Sequence, residues 1–166
     1  MPKALDDLMA AFAGESQANR KYLAFARKAE EDGYPQAARL FRAAAHAETV
    51  HALNHFRAAG EIKSTTENLL AAISGENYEV NSMYPGFIED AQAEHHQNAL
   101  KSFRWAWEVE KVHEQLYREM SANLEEEGTE NYSYYVCPIC GHTHARRAPD
   151  TCPVCGALGS KFEKID

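Results

Sequence analysis

The stretch Ala47-Glu48-Thr49-Val50-His51 decides how this chain folds. As a helix it sets a carboxylate and an imidazole three residues apart, so both project from one face. The neighbours on that face are apolar: Phe41, Ala44, Ala45 and Ala52. The pair is therefore aimed at an interior rather than at water. The same pattern returns once, as Glu110-Lys111-Val112-His113.

Working outward, the apolar residues from Lys3 to Glu31 follow a three-four alternation that predicts a long helix. Glu15 falls in the middle of its buried stripe, between Phe12 and Asn19. Asp32-Gly33-Tyr34-Pro35 ends this helix and starts the next, which carries the quoted stretch and runs to about Ala59 before Gly60. Residues 64–67 have the character of a capping box for a third helix, either Ser64 with Glu67 or Thr65 as the cap with acid in the first turn, and Leu69, Ile73, Glu76, Glu79, Phe87 and Ala91 lie on its seam. A turn near Glu94-His95-His96 leads to a fourth helix with the seam Ala99, Phe103, Ala106, Glu110, His113, Tyr117 and Met120. That helix is expected to end around residues 125–128, and residues 129–133 read as a polar linker. The predicted organisation is a mainly α protein: a four-helix bundle over 1–128, then a linker and small metal domain over 129–166.

An internal repeat underlies the bundle. Gly14-Glu15 matches Gly75-Glu76 at an offset of 61, whereas Asn19, Tyr22 and Phe25 match Asn81, Tyr84 and Phe87 at 62. Phe41, Glu48 and His51 match Phe103, Glu110 and His113, also at 62. The third helix thus holds one extra residue, beside the additional Glu79. A single insertion inside a helix is most easily absorbed as a π-bulge, and Pro85 just downstream removes a backbone donor. A bulged or kinked helix is predicted near residues 77–85.

Glu15, Glu48, Glu76, Glu79 and Glu110 would all point inward together with His51 and His113. One ionised carboxylate left buried and unpaired costs several kcal/mol, and the seams hold no Lys or Arg to pair five. Bound cations resolve the conflict. Oxygen ligands with two imidazoles suit iron or manganese, and Glu-x-x-His on two helices with a glutamate on each of two others is the di-metal carboxylate pattern of helix bundles. His55, whose repeat mate is Tyr117, reads as a core or outer histidine. His46, His95 and His96 read as surface or turn residues, and Trp105 and Trp107 as packing. Tyr22 and Tyr84 are repeat mates one or two turns from ligand glutamates. They are either core tyrosines or hydrogen-bonding partners of the site.

All four cysteines lie near the C-terminus, in Cys137-Pro-Ile-Cys140-Gly and Cys152-Pro-Val-Cys155-Gly, with 11 residues between the pairs. Two such knuckles form a tetrahedral four-thiolate site for iron or zinc. Tyr134, Tyr135 and Phe162 are expected to pack the small core around it, and His142 and His144 to be exposed. The N-terminus does not read as a secretion signal, so the thiols read as metal ligands rather than disulfides and a cytoplasmic location is expected. A net charge of −8 disfavours nucleic acid, and no apolar run approaches a membrane span.

Over essentially its whole length the chain resembles rubrerythrin. The resemblance rests on Phe12-Ala-Gly-Glu15-Ser-Gln-Ala, Glu48-x-x-His51, Gly75-Glu76-x-x-Glu79, Met83-Tyr84-Pro85-x-Phe87, Glu110-x-x-His113 and both knuckles. It implies a ferritin-like di-iron bundle followed by a rubredoxin-like Fe(Cys)₄ domain. By position, it implies that Glu48 and Glu110 bridge two irons, with Glu15 terminal on one and Glu76 and His113 on the other. His51 and Glu79 would alternate on the first iron with oxidation state. The implied reaction is reduction of hydrogen peroxide to water, a defence against oxidative stress. Its electrons would come through the rubredoxin-like iron, ultimately from NAD(P)H through a separate reductase. The relay would be reached more easily across a head-to-tail homodimer than within one chain. Two departures stand out: Glu94-His95 where the family turn has Glu-Gly, and an inter-knuckle segment about one residue shorter. The competing readings are a ferroxidase or iron-storage protein on the same bundle, and a structural zinc protein.

Overall fold

The computed structural model describes residues 3–124 and 131–166. They divide into two compact units, Met1–Lys63 and Ser64–Asp166. Each is taken by itself.

The first unit is a hairpin of α1 (Lys3–Glu31) and α2 (Pro35–Ala58). Its seam is alanine-rich: Ala26, Ala38 and Ala45 are fully or almost fully buried, which lets the helices approach closely. Aromatic pairs fill the rest, with Phe12 stacked on Phe56 at 4.6 Å and Phe25 edge-on to Phe41 at 5.6 Å. The Asn19 amide on α1 donates to the Ala45 carbonyl at 2.6 Å and to the Thr49 hydroxyl at 2.8 Å, tying the seam where it would otherwise be dry. Both helices end in the same way. Gly33 and Gly60 take left-handed backbone (φ +80° and +74°), and the next residue's N–H returns to a carbonyl five positions back.

The second unit opens with the predicted cap. Ser64 Oγ accepts from the Glu67 N–H, while Glu67 accepts from the Ser64 N–H. α3 (Thr65–Tyr78) runs into a π-helical segment, Glu79–Met83, and continues as α4 (Tyr84–Ala93). The insertion expected from the repeat is therefore a π turn, and it begins at Glu79. The turn to α5 (Gln97–Ala122) repeats the helix ending seen at Gly33 and Gly60, but His95 occupies the left-handed position at φ 55°. Next to it, His96 Nδ1 caps α5 by accepting from the Ala99 N–H at 3.2 Å. α5 ends at Ala122; the helix end expected at 125–128, and part of the linker expected at 129–133, lie outside the described residues.

The remaining residues form a three-stranded antiparallel sheet in the order β2 (Thr143–Ala145), β1 (Tyr134–Val136), β3 (Glu163–Ile165). β1 pairs with β2 in the register Tyr135 opposite His144, and with β3 as Tyr135 opposite Lys164. The two histidines expected on its surface are not there: His142 is 5 % exposed and His144 half-buried. The His142 ring lies against His144 and Phe162, so it joins Phe162 in the small core. Burial among these rings lowers its pKa and keeps it neutral. No helix among the described residues is long and apolar enough to cross a membrane.

Candidate metal centres

Three clusters among the described residues can hold a metal ion, with their ligand atoms within 4.8 Å of one another. One is the four cysteines. The two others are Glu15, Glu48 and His51 in the first unit, and Glu76, Glu110 and His113 in the second. They are repeat mates, which is how a duplicated helix pair produces two ligand triads.

In the first triad His51 Nδ1 faces Glu48 Oε2 at 2.9 Å, and the imidazole is about half exposed. Asn19 and Thr49 bond one turn away on the same hairpin and hold its two helices in register. The second triad is more enclosed. His113 Nδ1 lies 2.6 Å from Glu110 Oε2, to which it donates when the imidazole of the metal-free protein is protonated on both nitrogens. Its other nitrogen, Nε2, is 2.9 Å from the Thr143 hydroxyl, which in turn donates to the Gly141 carbonyl at 3.2 Å. The hydrogen bond that His113 donates to Glu110, reinforced by the charge of that carboxylate and those of Glu76 and Glu79, raises the pKa of His113 against the opposing effect of burial.

The fit to a cation follows from Glu76. Its Oε2 is buried with no hydrogen-bond partner. Burial, then the charge of Glu110 beside it, pushes the carboxyl up to about 7. Two adjoining carboxylates that resist joint ionisation, with an orphaned oxygen and an imidazole alongside, are what a divalent or trivalent ion would relieve. Glu79 is not part of this compact triad. It opens the π segment, where burial and the nearby Glu110 carboxylate raise its pKa. Tyr84 is half-buried over Phe87 and Phe103, and burial together with Glu110, Glu79 and Glu76 holds its phenol protonated. Tyr22 packs on Phe25 and Phe41, as a core tyrosine would.

The π segment has a support that the sequence did not disclose. Pro85 has no N–H to offer the Val80 carbonyl, five positions back in π register. The indole of Trp107 on α5 donates to that carbonyl at 2.8 Å. The sequence alone assigns Trp107 only to packing. Its ring also carries Lys111 Nζ at 3.2 Å from the centroid.

The knuckles repeat each other bond for bond. Gly141 and Gly156 donate to the carbonyls of Cys137 and Cys152, and those cysteines donate to the carbonyls of His142 and Ala157. Sγ–Sγ separations of 3.6 Å for Cys137–Cys155 and 3.5 Å for Cys140–Cys152 are close to the roughly 3.8 Å edge of a tetrahedron with 2.3 Å metal–sulfur bonds. All four are free thiols. The first knuckle lies against α5 of its own chain, through Thr143 on His113 and Gly141 beside Val109. Thr143 itself carried no sequence signal.

Comparison with known proteins gives a consistent picture. The family profile described as Rubrerythrin matches residues 6–121, and that described as Rubrerythrin, rubredoxin-like domain matches 135–163. The chain is 35% identical to Rubrerythrin-2 of Clostridium acetobutylicum, over 95% of this chain and 94% of that protein. It is 37% identical to a rubrerythrin of Porphyromonas gingivalis, over 95% and 88% respectively. Solved structures of nigerythrin in mixed-valence and all-ferrous states superpose with a TM-score of 0.60 at 34% identity, covering 98% of this chain and 86% of theirs.

Proposed function

The chain belongs to the rubrerythrin family, with its ferritin-like and rubredoxin-like parts, and from that premise we propose that it is a peroxidase reducing hydrogen peroxide to water. The observation that carries this reading is the bond between the two kinds of site: a thiolate knuckle whose Thr143 holds the bundle ligand His113. A storage protein has no use for a one-electron relay there.

When bound, two ferrous ions supply the two electrons that peroxide requires, and a Cys₄ iron passes single electrons with little change of geometry. Glu48 and Glu110 would hold both bundle ions, Glu15 one of them, and Glu76 with His113 the other. His51 and Glu79 would serve the first ion in turn: the neutral imidazole suits the ferrous charge and the carboxylate the ferric. Glu79 is able to take this part because the π segment gives the third helix a carboxylate that has no mate in the first. Tyr84, kept protonated, is a hydrogen-bond donor toward the carboxylates or a bound oxygen. Thr143 holds His113 in the orientation and protonation state that leaves Nδ1 for the metal. Cys137, Cys140, Cys152 and Cys155 would hold the relay iron, fed by a donor protein or an NAD(P)H-dependent reductase. We place the protein in the cytoplasm as a homodimer.

Anaerobic reduction followed by mixing with peroxide or with oxygen tests the reading. Reoxidation is expected to be much faster with peroxide. Preference for oxygen with mineral formation, or a colourless protein that takes up only zinc, would overturn it.

A further inference from the structure

α1 joins α2 through residues 32–34, and α4 joins α5 through residues 94–96. Both are tight hairpins. A ferritin-like bundle contains one long crossover, and only the connection between α2 and α3 is left to provide it. A crossover there makes α2 and α3 run in the same direction, so the end of α2 and the start of α3 lie at opposite ends of the bundle. Glu48 sits ten residues before the end of α2 and Glu76 eleven after the start of α3. At 1.5 Å per residue, a connection between ligands at one level must climb roughly 31 Å.

The connection consists of residues 59–64, which reach at most about 25 Å when fully extended. They are not fully extended. Gly60 turns back in left-handed backbone, Glu61 N–H bonds to the Phe56 carbonyl, and Ser64 is fixed in the α3 cap. The crossover cannot be made within one chain.

We propose that two copies of this chain exchange helix pairs. α1 and α2 of one protomer complete the bundle of α3, α4 and α5 of its partner, related by a two-fold axis. Each metal centre then takes Glu15, Glu48 and His51 from one protomer and Glu76, Glu79, Glu110 and His113 from the other. Short hinges favour such exchange. The proposal rests on reading the two triads as halves of one metal centre.

The test is complementation. One variant carries Glu48→Gln and His51→Ala, the other Glu110→Gln and His113→Ala. The two are co-expressed with different tags and the mixed dimer is isolated through both. Iron content beyond that of the cysteine site is measured, with helicity and the cysteine-site spectrum reporting the fold. Under exchange, the mixed dimer has one intact centre and holds half the bundle iron of the wild-type dimer, while each variant alone holds none. A wild-type dimer that loads its bundle beside a folded mixed dimer that holds none overturns exchange alone. A wild-type dimer without bundle iron overturns the metal reading, and exchange with it.

A chain with about twenty Gly and Ser residues inserted between Ile62 and Lys63, enough to span the bundle, keeps the proposal falsifiable should the variants fold poorly. It is expected to load its bundle as a chain-autonomous unit. Its wild-type parent should form only an exchanged dimer, and a parent that loads its bundle fully as a monomer overturns the proposal.

Discussion

His113 Nε2 lies 2.9 Å from the hydroxyl oxygen of Thr143, so the candidate ligand imidazole on α5 is held by the strand that follows the first cysteine knuckle. Metal-bound histidines are commonly oriented by the hydrogen bond their second nitrogen makes, and loss of that partner costs roughly 10–100-fold in affinity or activity. Here the partner stands three residues from Cys140, with the Gly141 carbonyl accepting from Thr143 in between. The positioning bond thus also links His113 to the first cysteine knuckle.

Thr143→Val should therefore lower bundle-metal affinity roughly 10–100-fold and slow electron delivery from the cysteine site, while leaving that site's own spectrum unchanged. Thr143→Ser should restore both. Single-turnover reoxidation and iron titration measure the two effects separately. A Val variant with unaltered titration would remove Thr143 from the positioning of His113.

Trp107→Phe keeps the ring but withdraws the donor that meets the Val80 carbonyl. A fully buried carbonyl left unsatisfied costs about 1–3 kcal/mol; Val80 is part-buried, so thermal unfolding should shift down by a few degrees. Amide exchange should rise first in residues 79–83, and peroxide turnover should fall with Glu79 loosened. Uniform exchange along α3 and α4 would assign Trp107 to packing alone.

Glu79→Ala should retain iron at both bundle positions, because the compact triads do not include this residue. Peroxide turnover is expected to drop by an order of magnitude or more, a barrier rise above about 1.4 kcal/mol. Iron analysis beside steady-state rates decides it; full turnover would strike Glu79 from the mechanism.

The carboxyl of Glu76, raised from an ordinary 4.5 to about 7, gives the metal-free protein a distinctive pH response. The folded state binds this proton more tightly than the unfolded state, so its stabilising share is complete below pH 4.5 and is lost as pH rises through about 7. His113, raised by Glu110, contributes with the same sign. The melting temperature of the metal-free protein should fall across this window, and Glu76→Gln should flatten the fall. Metal uptake needs the anion, so it should release protons and weaken below about pH 7. Calorimetric titration in buffers of different ionisation enthalpy counts those protons.

Much of this fold and its candidate site is legible in the sequence. Helix ends are local chemistry, so Gly33 and Gly60 could be read directly, and the start of α3 was narrowed to Ser64 or Thr65, of which Ser64 is the cap. The π segment was legible for a less common reason: a duplicated sequence shows its own insertion. The two triads followed from spacing and repeat together, and the cysteine frame from spacing alone. What escaped were contacts between segments distant in sequence. Thr143 on His113 spans 30 residues and Trp107 on Val80 spans 27, and neither residue type announces such a partner. His142 was misplaced because four thiolates complete the metal's coordination, which frees the imidazole but does not say where it goes. Packing against Phe162 sends it inward.

The π turn at Glu79–Met83 also has a meaning for how the two halves differ. Gene duplication alone makes twins, and twin triads would present any oxidant with interchangeable ions. One additional residue in a single helix removes that degeneracy: only one half owns the extra carboxylate, Glu79. With iron bound as proposed, the two ions would have distinct addresses, one with a fixed ligand set and one with a choice. A first oxidising event would then have a defined place to begin.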